Sequence, residues 1–131
     1  MQYLLDTHAF LWFINGDTQL SDKARTVIEN PVNDRYVSIA SFWEMAIKLN
    51  LGKLKLKMSF RELYREIEKN GFNLLPITIT HTEKIVSLDL HHRDPFDRML
   101  ICQALMDKLT IISADSQFQN YKVKQVLLWS N

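Results

Sequence analysis

Apolar residues fall along this chain in short runs that alternate with stretches of helical spacing. Five runs read as strands: QYLLD (2–6), RYVSIAS (35–41), NLLPITI (73–79), LTIISAD (109–115) and KQVLLW (124–129). Each is short, rich in leucine or β-branched residues, and bounded by polar positions. Between them apolar residues recur three and four apart, as on one face of a helix. Ser21 predicts the cap of a helix through about Glu29, Ser41 one through about Leu49, and Ser59 one ending near Asn70, with Gly71 as its stop. Thr80 with Glu83 has capping-box spacing for a helix to about Leu88, and Asp94-Pro95 opens the longest helix, through about Asp107. Strands alternating with helices imply βαβ crossovers, hence an α/β fold with a mostly parallel sheet covered on both faces. Pro76 lacks an amide donor, so the third strand is expected at an edge.

Composition adds bounds more than it adds chemistry. The 131 residues are 47% hydrophobic with three Gly and three Pro, which predicts a single domain over 1–131 with its own core. No apolar run approaches the roughly 20 residues of a membrane helix, and Cys102 is the one cysteine, so a cytoplasmic protein with a buried structural thiol is expected. The net charge of +1 advertises no nucleic-acid binder. Locally, Lys48, Lys53, Lys55 and Lys57 form an acid-free stripe that can hold phosphates, although a solvated surface is its commoner meaning.

Four carboxylates carry the chemical signal: Asp6, Glu44, Asp97 and Asp115. Singly, each has an ordinary reading as a helix cap, with Ser41 and Glu44 spelling a capping box and Asp97 following an Asp94 cap. Together they are harder to dismiss. Asp6, Glu44 and Asp115 stand at or just past the carboxyl ends of strands one, two and four, which share one edge of a parallel sheet and form the usual ligand edge. Asp97 reaches that edge if the 89–96 loop crosses the top. Acids crowded there repel and call for protons or cations. Oxygen donors favour Mg²⁺ or Mn²⁺, and no Cys/His spacing suits zinc. Such ions activate water against a phosphodiester. Thr7 and Ser116, each directly after an acid, can orient the carboxylates.

The blocks LLDTHAFLW, SIASFWEMAIKLNLGKL, HRDPFDRMLICQAL and TIISADSQF, in this order and spacing, resemble the PIN-domain ribonucleases, specifically the VapC-like toxins of bacterial toxin–antitoxin pairs. The resemblance covers nearly the whole chain. It implies a three-layer α/β/α domain with a five-stranded sheet ordered 3-2-1-4-5, and an acidic quartet of Asp6, Glu44, Asp97 and Asp115 holding Mg²⁺ or Mn²⁺. It further implies endonucleolytic cleavage of RNA, a homodimer, and inhibition by a small antitoxin protein. Asp94 stands as an accessory acid or as a cap, and Arg98 as a contact to carboxylate or phosphate. Arg93 and His92 read as solvated loop residues, His8 as a neighbour of the site, and Trp12, Phe13, Phe42 and Trp43 as core or dimer-surface aromatics.

Three other readings compete. A solitary PIN nuclease in RNA processing would share the same residues. A phosphatase or receiver module would want a second Asp two positions after Asp6, where His8 stands, or a Lys after the last strand, where LLWSN has none. A non-catalytic α/β binding module would use the acids only as caps.

Overall fold

The protein is described from a computed structural model, which covers residues 1–115, 118, 120, 121 and 123–127. Its elements are β1 (Gln2–Leu5), α1 (Thr7–Asn15), α2 (Asp22–Glu29), β2 (Asp34–Ser38), α3 (Ile39–Asn50), α4 (Phe60–Lys69), β3 (Asn73–Leu75), α5 (Ile79–Ser87), α6 (Pro95–Asp107), β4 (Thr110–Ser113) and β5 (Gln125–Leu127). All four strand pairings are parallel and the order is β3-β2-β1-β4-β5. The expected 3-2-1-4-5 sheet is present, and the chain segment holding Pro76 lies beyond the edge strand: β3 stops at Leu75, before the residue that cannot donate.

Side-chain alternation along β1 builds the layers. Tyr3 and Leu5 face a core made with α1, α2, α3 and α4, where Phe10, Ile28, Met45 and Leu63 are buried. Leu4 faces the other way, with Ile111, onto Leu100, Ile101 and Ala104 of α6. A one-residue slip of β1 would exchange these sets, so the two cores fix its register. Cys102 is buried, and burial pushes its thiol up, as suits a structural residue. Among the described residues no helix is long and apolar enough to cross a membrane.

Helix starts follow local side chains. Ser21 and Ser59 cap α2 and α4 as expected, through bonds from the amides of Ala24 and Glu62. Gly16, in the left-handed region at φ 63°, ends α1 where a Cβ would be strained. Two starts differ from expectation. The second helix begins at Ser38, which accepts from Ala40 N, and not at Ser41. Strand β2 ends early because the Ser38 hydroxyl is drawn into the core, 2.6 Å from Gln103 Oε1. The fifth helix is capped by Thr78 with His81 completing its capping box, so Thr80 and Glu83 lie inside it. His81, fully buried, reaches across to Asp107 at 3.0 Å and ties α5 to α6.

Candidate metal centre

β1, β2 and β4 are level at Leu5, Val37 and Ile112. The next position on each strand is polar: Asp6, Ser38 and Ser113. Asp6 Oδ1 caps α1 by accepting from Ala9 N at 2.8 Å, while Oδ2 accepts from the Ser113 hydroxyl at 2.6 Å. The cap and the site are thus the same residue, each using one oxygen. The Ser113 oxygen also accepts from the amide of Asp115 at 2.9 Å, so one hydroxyl fixes two of the four acids. Sequence reading missed Ser113, whose partner lies 107 positions away. Ser113→Ala is expected to weaken Mn²⁺ binding about tenfold, as loss of a hydrogen bond to a ligand does. Calorimetric titration of the metal-stripped protein measures it, and an unchanged affinity would remove Ser113 from the site.

Glu44 sits in the middle of α3, more than a turn from either end, because Ser38 takes the cap. The capping-box explanation for this acid therefore fails. Its Oε1 lies 2.7 Å from Thr7 Oγ1, which lies 2.9 Å from Ser41 Oγ. With one proton, Thr7 donates to the charged acceptor and leaves Ser41 to donate to Thr7. Glu44 Oε2 meets the ammonium of Lys48, one turn on, at 2.6 Å. Lys48 thus belongs to the site and not to a solvated stripe, while Lys53, Lys55 and Lys57 are exposed.

Asp94 Oδ1 caps α6, accepting from the amides of Phe96 and Asp97. With the cap so filled, Asp97 turns its carboxylate to His92: Oδ2 lies 3.1 Å from Nε2, and Asp115 Oδ2 lies 2.8 Å from the same atom. His92 is 11% exposed at its side chain, which corrects its reading as a solvated loop residue. Arg98 is corrected as well. Its guanidinium donates to the carbonyls of Leu88, Asp89 and His92, and so braces the loop from a half-buried position. Ser116 lies outside the described residues.

Asp6, Glu44, Asp94, Asp97 and Asp115 line one cleft of about 350 Å³, with Thr7, His8 and Lys48 at its wall. Burial pushes the Asp6 carboxyl up, helped by Glu44, while the bonds from Ser113 and Ala9 and the charge of His8 pull it down. Burial likewise lifts Asp97 to about 7, with Asp94, Asp6 and Glu44 adding repulsion and His92 opposing it. The Glu44 contact holds the Lys48 ammonium above its usual range, with the charges of Asp94 and Asp97 adding to it and burial opposing. These raised carboxyls mark a cleft short of positive charge, lined by hard oxygen donors. That donor chemistry fits a small divalent cation. A larger depression, about 510 Å³ beside Gln2, Lys108 and Lys124, lies at the amino edge of the sheet and brings no carboxylates together.

The comparison with known proteins agrees with this architecture. The model of the PIN domain matches residues 3–124. Solved structures share the fold at low identity. VapBC2 from Rickettsia felis, bound to a DNA fragment from their promoter, gives a TM-score of 0.72 at 14% identity, covering 97% of this chain and 98% of that one. FitAcB from Neisseria gonorrhoeae gives 0.67 at 18%, covering 97% and 98%. VapBC-1 from nontypeable Haemophilus influenzae gives 0.64 at 18%, covering 98% of each. No curated protein matches the sequence. With the family model spanning nearly its whole length, and with a parallel sheet in the order expected of it, the chain belongs to the PIN-domain family.

Proposed function

We propose that this protein is a metal-dependent endoribonuclease and the toxin of a toxin–antitoxin pair. The observation that carries the reading is the meeting of Asp6, Glu44, Asp97 and Asp115, from four separate elements, in one cleft. One of the capping explanations no longer applies, since Glu44 is inside its helix; Asp94 caps α6 as expected, and Asp97 in the first turn also lies against His92 at the cleft. A binding module would have no use for the remaining repulsion, which costs stability.

Asp6, Glu44, Asp97 and Asp115 would hold Mg²⁺ or Mn²⁺. Held by these four acids, such a cation would supply Lewis-acid chemistry, making a water more acidic and offsetting charge on phosphoryl oxygens. The protein's own residues prepare the site. Ser113 fixes Asp6, Thr7 fixes Glu44, and His92 meets Asp97 and Asp115, so the ligand geometry exists before substrate arrives. Lys48 places a permanent positive charge at the wall of an otherwise acidic cleft, where a phosphodiester must approach.

The toxin assignment rests on the solved relatives, VapBC2, FitAcB and VapBC-1, two of which carry the VapBC name. It brings a small antitoxin as partner and a homodimer as the working form. Incubating the purified chain with total RNA and Mn²⁺ or Mg²⁺ tests the activity. Discrete fragments that vanish with EDTA, and whose ends carry no 2′,3′-cyclic phosphate because water is the nucleophile, are expected. Fragments formed equally well in EDTA would contradict the proposal.

A further inference from the structure

His92 lies at the closest meeting of two of the acids, yet belongs to none of the elements that carry them. Its Nδ1 accepts the amide N–H of Asp94 at 3.2 Å. An imidazole that accepts at Nδ1 carries its proton on Nε2. That N–H donates to Asp115 Oδ2 at 2.8 Å, and Asp97 Oδ2 lies 3.1 Å from the same nitrogen, in contact with it but outside the line of the hydrogen bond. The three side chains present atoms within 4.8 Å of one another, close enough to suggest a metal triad with a nitrogen ligand. The Asp94 amide argues otherwise. For Nε2 to ligate a metal, the proton would have to move to Nδ1, where it would point at another N–H donor.

From this we infer that His92 is a positioning residue: a neutral imidazole whose one N–H holds Asp115, with Asp97 resting against the same nitrogen, so that the ring sets the spacing of the two acids without itself binding the cation. The inference rests on the metal-dependent reading of the cleft and names a new participant in it. The ring is held from behind. The Tyr121 hydroxyl accepts from the amides of His91 and His92 at 3.0 and 2.9 Å and donates to Asp89 O at 2.9 Å. Arg98 donates to three carbonyls of the same loop, and Phe118 lies against the imidazole with centroids 6.1 Å apart. The post is therefore fixed by groups outside the acidic cluster, and the two carboxylates, one on α6 and one after β4, close onto it. A bidirectional brace of this kind removes the freedom that each acid would otherwise lose on binding metal.

Two measurements on the whole, metal-stripped chain test the clamp. In calorimetric Mn²⁺ titration, His92→Leu is expected to bind about 10- to 100-fold more weakly than the wild type, the range set by lost partners of metal ligands. His92→Gln, whose terminal amide offers an N–H at similar reach, should recover most of that loss. Electron spin echo spectroscopy of Mn²⁺ in the wild type, which needs no variant, should show no directly bonded nitrogen. Strong nitrogen coupling, equal or tighter binding by His92→Leu, or a Gln variant as weak as the Leu one would overturn the clamp while leaving the nuclease reading standing. A wild type that binds no Mn²⁺ would overturn both.

Discussion

Asp6→Asn is expected to yield a folded protein that has lost RNA cleavage. Asparagine caps helices as well as aspartate, so the bond from Ala9 N to the side-chain oxygen survives. The Ser113 hydroxyl, a donor to Asp6 at present, can turn to accept from the new amide. What disappears is the charge at the centre of the cleft. A neutral amide is a poor ligand for Mg²⁺ or Mn²⁺, and without the cation no group in the cleft takes over its work on water and phosphoryl oxygen. Single-turnover cleavage should fall about a thousandfold or more, equivalent to roughly 4 kcal/mol of transition-state stabilisation. Because the wild-type carboxyl is raised by burial, removing its charge should also raise the melting temperature of the metal-free protein. A variant cleaving within about tenfold of wild type would take Asp6 out of the chemistry.

The second large effect concerns stability and pH. Asp97 holds its proton up to about pH 7 in the folded protein, against 3.8 as the ordinary value. Between those values the folded state binds more protons than the unfolded one, so stability falls as pH rises through this window and then levels off. The penalty is absent below about 3.8 and complete above about 7. With its side chain 24% exposed, the group is partly screened, and the full penalty is about 2–4 kcal/mol. Asp97→Asn should therefore melt roughly 5–15 °C higher than wild type at pH 8 in EDTA, and the gap should close toward pH 4. Adding Mn²⁺ should reverse the order, since it stabilises only the protein that binds it. Below pH 7 protons compete with the metal at Asp97, so wild-type Mn²⁺ affinity should decline there. Scanning calorimetry at pH 5 and pH 8 reads all three. An Asn variant less stable than wild type at pH 8 without metal would contradict the electrostatic account.

Where the sequence was readable, its signals were local. Asp94-Pro95 opens α6 as expected because the cap oxygen and the ring that suits the first helical position are adjacent in the chain. Ser21 and Ser59 are legible for the same reason. In the SIAS stretch two serines compete for one cap, and the choice of Ser38 is made by Gln103, 65 positions away, whose amide also holds the carbonyl of Pro76. No local pattern carries that information. Asp6, Glu44 and Asp115 could be placed at one sheet edge from topology alone, and Asp97 joined them only on the condition that the 89–96 loop crosses the top. Their supports could not: Ser113 and His92 have no periodicity to mark them, and His92 is buried by Tyr121, which follows it by 29 residues. Lys48 was half visible, since its spacing from Glu44 is that of a helical ion pair, but within a run of lysines it read as surface.

Crystals grown with Mn²⁺ and measured for anomalous scattering would test the central claim most directly. The account expects a manganese peak inside the cleft, about 2.0–2.3 Å from carboxylate oxygens of the Asp6, Glu44, Asp97 and Asp115 set and absent from Asp6→Asn crystals. Manganese bound elsewhere with this cleft empty, or bound identically in the Asn variant, would contradict it.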